Sequence, residues 1–256
     1  MDHINIKKKN DYAVVYLDRG KVNAMNHAMV VEIRKTFDQL KNDTEVRGVI
    51  ITGKPHYFSA GLDVIELYQY DADQIRAFWL DFLGMMIDLT KFNKPAIAAI
   101  SGYSPAGGAI IALTCDYRLM AEGEKYLIGL NEVAVGISIT NSIYSLYSFW
   151  LGDRKAYQAL LTGKLFNVAE AKEVGLIDQI VELDDILEAA ENKMQLMLRP
   201  NDYILGTTKS MMRQELIRQM DVDLTAQVDE RCEYWMSPQS RKELGAFVEK
   251  LTQSKG

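Results

Sequence analysis

Two short segments carry the residue types from which chemistry can be built. They are Phe58-Ser59-Ala60-Gly61-Leu62-Asp63 and Ser104-Pro105-Ala106-Gly107-Gly108. Each is a turn of small residues set between a strand-like run and a helix-like run. Small residues allow a backbone to approach a ligand closely. Two such turns can aim two main-chain N–H groups at one oxygen atom. Paired amides around a carbonyl oxygen form an oxyanion hole, which stabilises the negative charge that develops there in a transition state. The sequence therefore predicts an enzyme that activates a carbonyl group.

The elements that must position these turns alternate. Tyr12–Leu17 reads as a strand from its β-branched and aromatic content, and Met29, Val30, Ile33, Phe37 and Leu40 recur at helical spacing. Residues 46–53 form a second strand, residues 73–92 a long helix with Ile75, Phe78, Trp79, Phe82 and Met86 on one face, and residues 95–100 a buried strand. A short apolar helix follows Pro105–Gly108, then short strands at 117–120 and 126–128 and a turn at 129–132. Repetition of strand, turn, helix and strand implies α/β architecture. After Asp184 the pattern is helical, with no strand expected through Thr252. Its many apolar residues suggest a surface that packs on another subunit.

Bulk properties narrow the functional classes. The 256 residues suit one α/β domain, and 48% hydrophobic content supplies a full core. A net charge of −6 argues against nucleic acid as a partner. The basic run Lys7-Lys8-Lys9 reads as a solvated strand edge. Cys115 and Cys232 form no disulfide framework, so a reducing compartment, the cytoplasm, is expected; no signal-peptide pattern is visible. Cys115 reads as a small buried hydrophobe. No Cys/His spacing fits a metal, and no apolar stretch is long enough for a bilayer, so neither metal nor membrane is expected.

The order and spacing of several segments resemble the crotonase (enoyl-CoA hydratase/isomerase) superfamily. They are residues 19–26, the strand ending at Gly53, Phe58–Asp63, Pro105–Gly108, Cys115-Asp116-Tyr117-Arg118 and residues 169–178. Residues 105–108, 112–118 and 128–132 are most similar to its branch of short-chain 3-enoyl-CoA to 2-enoyl-CoA isomerases of the mitochondrial type. The resemblance implies a spiral of repeated ββα units, residues 1–190, and a C-terminal helical oligomerisation region, residues 191–256. It further implies a homotrimer or a hexamer built as a dimer of trimers, and an acyl-CoA thioester substrate. No separate cofactor is implied, because coenzyme A is part of the substrate.

Residue by residue, the resemblance makes the amides of Leu62 and Gly107 the two oxyanion donors. Gly107 opens a helix, whose free N–H groups and positive dipole end suit an anion. The substrate and coenzyme A contacts implied are Lys21, Val22, Ala60, Gly61, Leu62, Asp63, Val64, Gly107, Gly108 and Ile110, with Asp63 also expected to cap the following helix. Ile110 and Ile137-Ser138-Ile139 are expected to line an apolar acyl pocket. One glutamate of the hydratases falls on Ile110, which cannot move a proton. The other falls on Glu132, placed before apolar Val133-Ala134-Val135, where partial desolvation would raise its pKa and suit a base. A single carboxylate favours a double-bond shift over hydration. The alternatives are another reaction on an acyl-CoA (hydration, thioester hydrolysis, decarboxylation) or a non-catalytic acyl-CoA-binding protein. Gly20 stands where that family often has proline, and residues 136–141 lack the Pro-Gly-rich continuation of hydratases.

Overall fold

The computed structural model describes residues 2–253. Two sheets organise the chain. The larger is built from β1 (Ile4–Lys8), β2 (Tyr12–Leu17), β3 (Gly48–Thr52), β5 (Ala96–Ile100), β7 (Tyr117–Ala121) and β10 (Gln179–Val181), in the order β1-β2-β3-β5-β7-β10. Only the β1–β2 pair is antiparallel. The smaller sheet has the order β4 (His56–Tyr57), β6 (Gly102–Pro105), β8 (Leu127–Gly129), β9 (Leu165–Asn167). Lys7 and Lys8 lie on the edge strand β1, where Lys8 pairs with Asp43 at 2.6 Å.

Three strands of the first sheet, β3, β5 and β7, are each followed by a short strand of the second and then by helix. β3 and β4 lead to α2 (Val64–Leu67) and α3 (Ala72–Thr90), after α1 (His27–Asn42) has joined β2 to β3. β5 and β6 lead to α4 (Gly107–Thr114). β7 and β8 lead to a 3-10 turn (Glu132–Val135), α5 (Asn141–Leu151) and α6 (Asp153–Thr162). This is the ββα spiral that the resemblance implies. α7 (Val168–Val174) then links β9 to β10. Side chains set the starts of the helices: Asn26 accepts from the Met29 amide, and Asp71 and Gln74 form a capping box on α3.

Strand side chains alternate between the two faces. Val14, Ile50, Ile97 and Leu119 face α8 (Ile186–Met197), through Ile186, Ala190 and Met194. Val15, Val49, Ile51, Ala98 and Ile100 face the larger cluster containing Met29, Phe37, Phe78, Phe82 and Ile110. β3 and β5 are buried on both faces, as parallel strands between helical layers must be. The boundary expected at 190/191 falls inside α8, which packs on the sheet from both sides of it; a uniform apolar face gives no sign of that in sequence.

Three further helices complete the described chain: α9 (Asp202–Met220), α10 (Thr225–Met236) and α11 (Pro238–Gln253). Leu216, Met220, Val228, Trp235 and Leu244 join the main core, so these helices cover their own subunit. Tyr203, Ile204, Met211 and Met212 of α9 remain exposed. No described helix is long and apolar enough to cross a membrane. Cys115 is fully buried, and burial pushes its thiol up to about 12, consistent with a packing role.

Candidate active site

The first turn is held by its neighbour in space, the segment Val22–Met25. The Ala60 amide donates to the Val22 carbonyl at 2.8 Å, Met25 to Gly61 at 2.8 Å, and Asp63 to Met25 at 2.9 Å. Asn23 locks this pairing from a left-handed backbone conformation (φ +51°). Its fully buried amide donates to the Phe58 carbonyl at 3.1 Å and accepts from the Arg19 amide at 2.9 Å. Ser59 Oγ donates to the Asn23 carbonyl and accepts from the Gly61 amide. Gly61 turns the chain at φ +81°, a value that favours glycine. The amides of Ala60, Gly61 and Asp63 are thus consumed, while the Leu62 amide has no hydrogen-bond partner among the described residues.

The second turn meets the first. A Cβ on Gly61 would lie 3.0 Å from Ala106 Cβ and 3.5 Å from the Gly107 nitrogen, and a Cβ on Gly108 would lie 2.8 Å from the Ser59 carbonyl. Ala106 sits at φ +48°, strained for an alanine, and is held there by donating to the Gly129 carbonyl at 2.8 Å. Gly107 then begins α4, with one of the first-turn amides that a helix leaves without an internal acceptor. Met25 Cε packs directly on the Cα of Gly107. Phe82 Cε2 and Leu62 Cδ2 lie 3.4 and 3.5 Å from the point its Cβ would occupy.

Gly129 links this turn to Glu132. Strand β8 pairs with β6, so the chain that carries Glu132 leaves from beside Pro105. Glu132 starts the 3-10 turn and is 6% exposed. Its Oε2 is buried without a partner. Burial lifts its carboxyl from the ordinary 4.5 to about 7, against smaller downward pulls from its own amide and from Arg231. A carboxylic acid poised near neutrality can both accept and return a proton. Tyr147 of α5, fully buried, also feels the Glu132 charge, which together with burial pushes its phenol up.

The remaining predicted residues divide into two groups. Lys21 is exposed, and Val22 and Ala60 are half-buried along the rim of the first turn. Asp63 caps α2 by accepting from the Glu66 amide at 3.1 Å and pairs with Arg19 at 2.7 Å, so it braces the turn. Val64, Gly108 and Ile110 are buried, the last on α4 one turn after Gly107. Ile137 is buried, Ile139 half-buried and Ser138 exposed.

Three residues of the neighbourhood carry no local sequence signal. Met25 sits on Gly107, Tyr147 faces Glu132, and Arg231 of α10 lies 4.4 Å over the ring of Trp79 on α3. Only the docking of α5 and α10 brings the last two here.

Comparison with known proteins gives the family of the chain. The sequence model of the enoyl-CoA hydratase/isomerase family matches residues 7–255. The enoyl-CoA delta isomerase 1, mitochondrial, of Rattus norvegicus is 37% identical over 250 residues, covering 95% of this chain and 85% of the relative. Its Homo sapiens counterpart is 32% identical over 245 residues, 95% of this chain and 81% of that protein. The crystal structure of human mitochondrial delta3-delta2-enoyl-CoA isomerase superposes with a TM-score of 0.94 at 31% identity, covering 99% of this chain and all of that one. Enoyl-CoA hydratase from Bacillus halodurans, at 22% identity and a TM-score of 0.85, shares the fold. A family match along almost the full chain, on a ββα spiral that brings two small-residue turns and a buried glutamate together, makes this chain a member of the enoyl-CoA hydratase/isomerase family.

Proposed function

We propose that this protein is an enoyl-CoA isomerase that moves a 3-enoyl-CoA double bond to the 2-trans position. The observation that carries the reading is Glu132, a buried carboxyl near neutrality with an unpartnered oxygen, while Ile110, where the resemblance puts the second carboxylate of hydratases, is apolar and buried on α4. Glu132 removes a proton from C2 of the thioester. The electrons of that bond become a dienolate, whose oxygen the amides of Leu62 and Gly107 hold. The same carboxylic acid then returns its proton at C4, and the double bond lies between C2 and C3. No protein group other than the shuttle gains or loses a proton between C2 and C4, so one carboxylate suffices.

Lys21, Val22 and Ala60 supply the rim for the nucleotide part of coenzyme A in this reading, with Gly61, Asp63, Val64 and Gly108 shaping it. A homotrimer, or a hexamer of two trimers, is proposed on the exposed Tyr203, Ile204, Met211 and Met212 of α9; sedimentation equilibrium that returns a monomer would remove it. The cytoplasm is proposed as the compartment on two free, buried cysteines. The mammalian relatives are mitochondrial by name, and fractionation of the source cells decides between the two.

The assay is direct. Purified protein is given a 3-enoyl-CoA and the products are resolved. The 2-trans-enoyl-CoA should form, and Glu132→Gln should lose about a thousand-fold or more in kcat, as loss of a proton-transfer group does. Unchanged turnover in the variant would end the assignment. A 3-hydroxyacyl-CoA, free acid or decarboxylated product would point to the rival reactions. A pure binding protein would leave the C2 proton unexchanged in deuterated solvent.

A further inference from the structure

We infer that Arg19 is a positioning residue for the oxyanion site: its guanidinium anchors the hydrogen-bonded peptides that aim the Leu62 amide. This rests on the isomerase reading for the role of that amide. The Leu62 N–H belongs to the Gly61–Leu62 peptide group. That group is planar and trans, so the N–H points opposite to the Gly61 carbonyl. The Gly61 carbonyl accepts from the Met25 amide at 2.8 Å. The Met25 amide in turn shares a planar group with the Ala24 carbonyl, which accepts from Arg19 Nη1 at 2.6 Å. One line of donors and acceptors therefore runs from the guanidinium, through two peptide groups, to the free N–H of Leu62.

The same guanidinium holds the other side of the donor. Nη1 also reaches Asp63, the residue after Leu62, at 2.7 Å, and Nη2 reaches Glu66 of α2 at 2.6 Å. Glu66 is itself fixed, accepting from Asn26 at 3.0 Å and from Tyr70 at 2.8 Å. The pairing of Met25 with Leu62 is an isolated bridge, flanked by the Met25–Gly61 and Asp63–Met25 main-chain bonds. Arg19 adds a tie on each of the two segments that meet there. An ordinary exposed ion pair joins side chains alone and contributes little. Arg19 differs, because its side chain is only 19% exposed and one nitrogen is bound to main chain. Hydrogen bonds in series polarise one another, so a cationic donor at the head of this line makes the Leu62 N–H a stronger donor. Asp63 and Glu66 offset the charge of Arg19, so the effect passes along the peptides rather than through space. Lysine, a point charge without the planar fork, cannot hold all three acceptors at once.

The test compares two bound thioesters. Acetoacetyl-CoA can bind as its enolate, which resembles the dienolate, while hexanoyl-CoA keeps a neutral carbonyl. Titration calorimetry gives both affinities for wild type, Arg19→Met and Arg19→Lys. Arg19→Met should weaken acetoacetyl-CoA about ten-fold more than hexanoyl-CoA, a part of the hundred-fold or more that loss of a whole donor costs. Damage to the coenzyme A rim strikes both ligands alike and cancels in the ratio. With 3-hexenoyl-CoA, kcat should fall by a similar factor at constant KM. Arg19→Lys should show the same selective loss, and decides the matter where the methionine variant does not fold. An unchanged ratio of affinities, whether both are kept or both are lost together, would overturn the inference, since Arg19 would then serve only the rim or the fold. Failure of the isomerase reading is separable: 3-hexenoyl-CoA would go unchanged while the enolate preference, and its loss in the variants, persist.

Discussion

At the scale of single residues, Glu132 sets two pH dependences. Its carboxyl is raised from 4.5 to about 7 by burial, so the proton-accepting form accumulates only as pH rises through about 7. The rate kcat/KM for a 3-enoyl-CoA should climb across that range in a pH series and flatten above it. Stability runs the other way. Between the unfolded and folded pKa values the native state binds more protons than the unfolded chain, so stability falls with rising pH across this window. The charged form costs the fold about 3 kcal/mol once pH exceeds the folded value. Glu132→Gln should therefore melt higher than wild type at pH ~8, with the gap closing towards pH ~5; an equal gap at both would show that ionisation is not its source. Glu132 is buried as the sequence suggests, but not by the apolar residues after it: Val133 and Ala134 are exposed and Val135 is half-buried. Arg231 was not readable, because a charged residue on an amphipathic helix looks like any solvated one until α10 folds onto α3 and Trp79 covers it.

At the scale of elements, two turns from different repeats must touch. The turns were legible because glycine, alanine and proline punctuate the ends of apolar strands. Their contact was not, since it depends on β8 binding Ala106 and on Ser59 lying under Gly108. Short strands β4, β6 and β9 were hidden for a similar reason: two to four residues carry too little alternation to register. The contact makes a prediction that separates geometry from chemistry. In Gly108→Ala the new Cβ would stand 2.8 Å from a main-chain oxygen, which cannot rotate away as a side chain can. The two turns must part, by several tenths of an ångström. Loss of one aligned oxyanion donor costs about a hundred-fold or more in kcat. Gly108→Ala should show that loss with Glu132 intact and circular dichroism unchanged. Wild-type turnover would mean that the spacing of the turns does not govern the rate.

At the scale of the whole molecule, a C-terminal helix is bolted to the α/β core through buried charge. Asp116, between α4 and β7, accepts from Lys209 at 2.7 Å and from the Ala96 amide at 2.8 Å, and forms an ion pair with Arg213 at 2.9 Å; Lys209 and Arg213 both lie on α9. Lys209 also donates to the Lys94 carbonyl and Arg213 to the Thr114 carbonyl, each at 2.7 Å. The sequence showed helices after Asp184 and their apolar faces, but not this clasp, whose members are far apart along the chain. Burial lowers Lys209 to about 8, so its charge is held at a cost that Asp116 offsets. The two partners are therefore unequal. Asp116→Asn leaves two buried cations facing a neutral amide and should cost about 3–5 kcal/mol, the usual penalty for orphaning a buried charge. Lys209→Met removes one desolvated cation, leaves Asp116 paired with Arg213, and should cost about 1 kcal/mol or less. Urea denaturation of both variants measures the difference. Equal losses would mean that α9 docks through its apolar contacts, Leu216 and Met220, with the charges contributing nothing of their own.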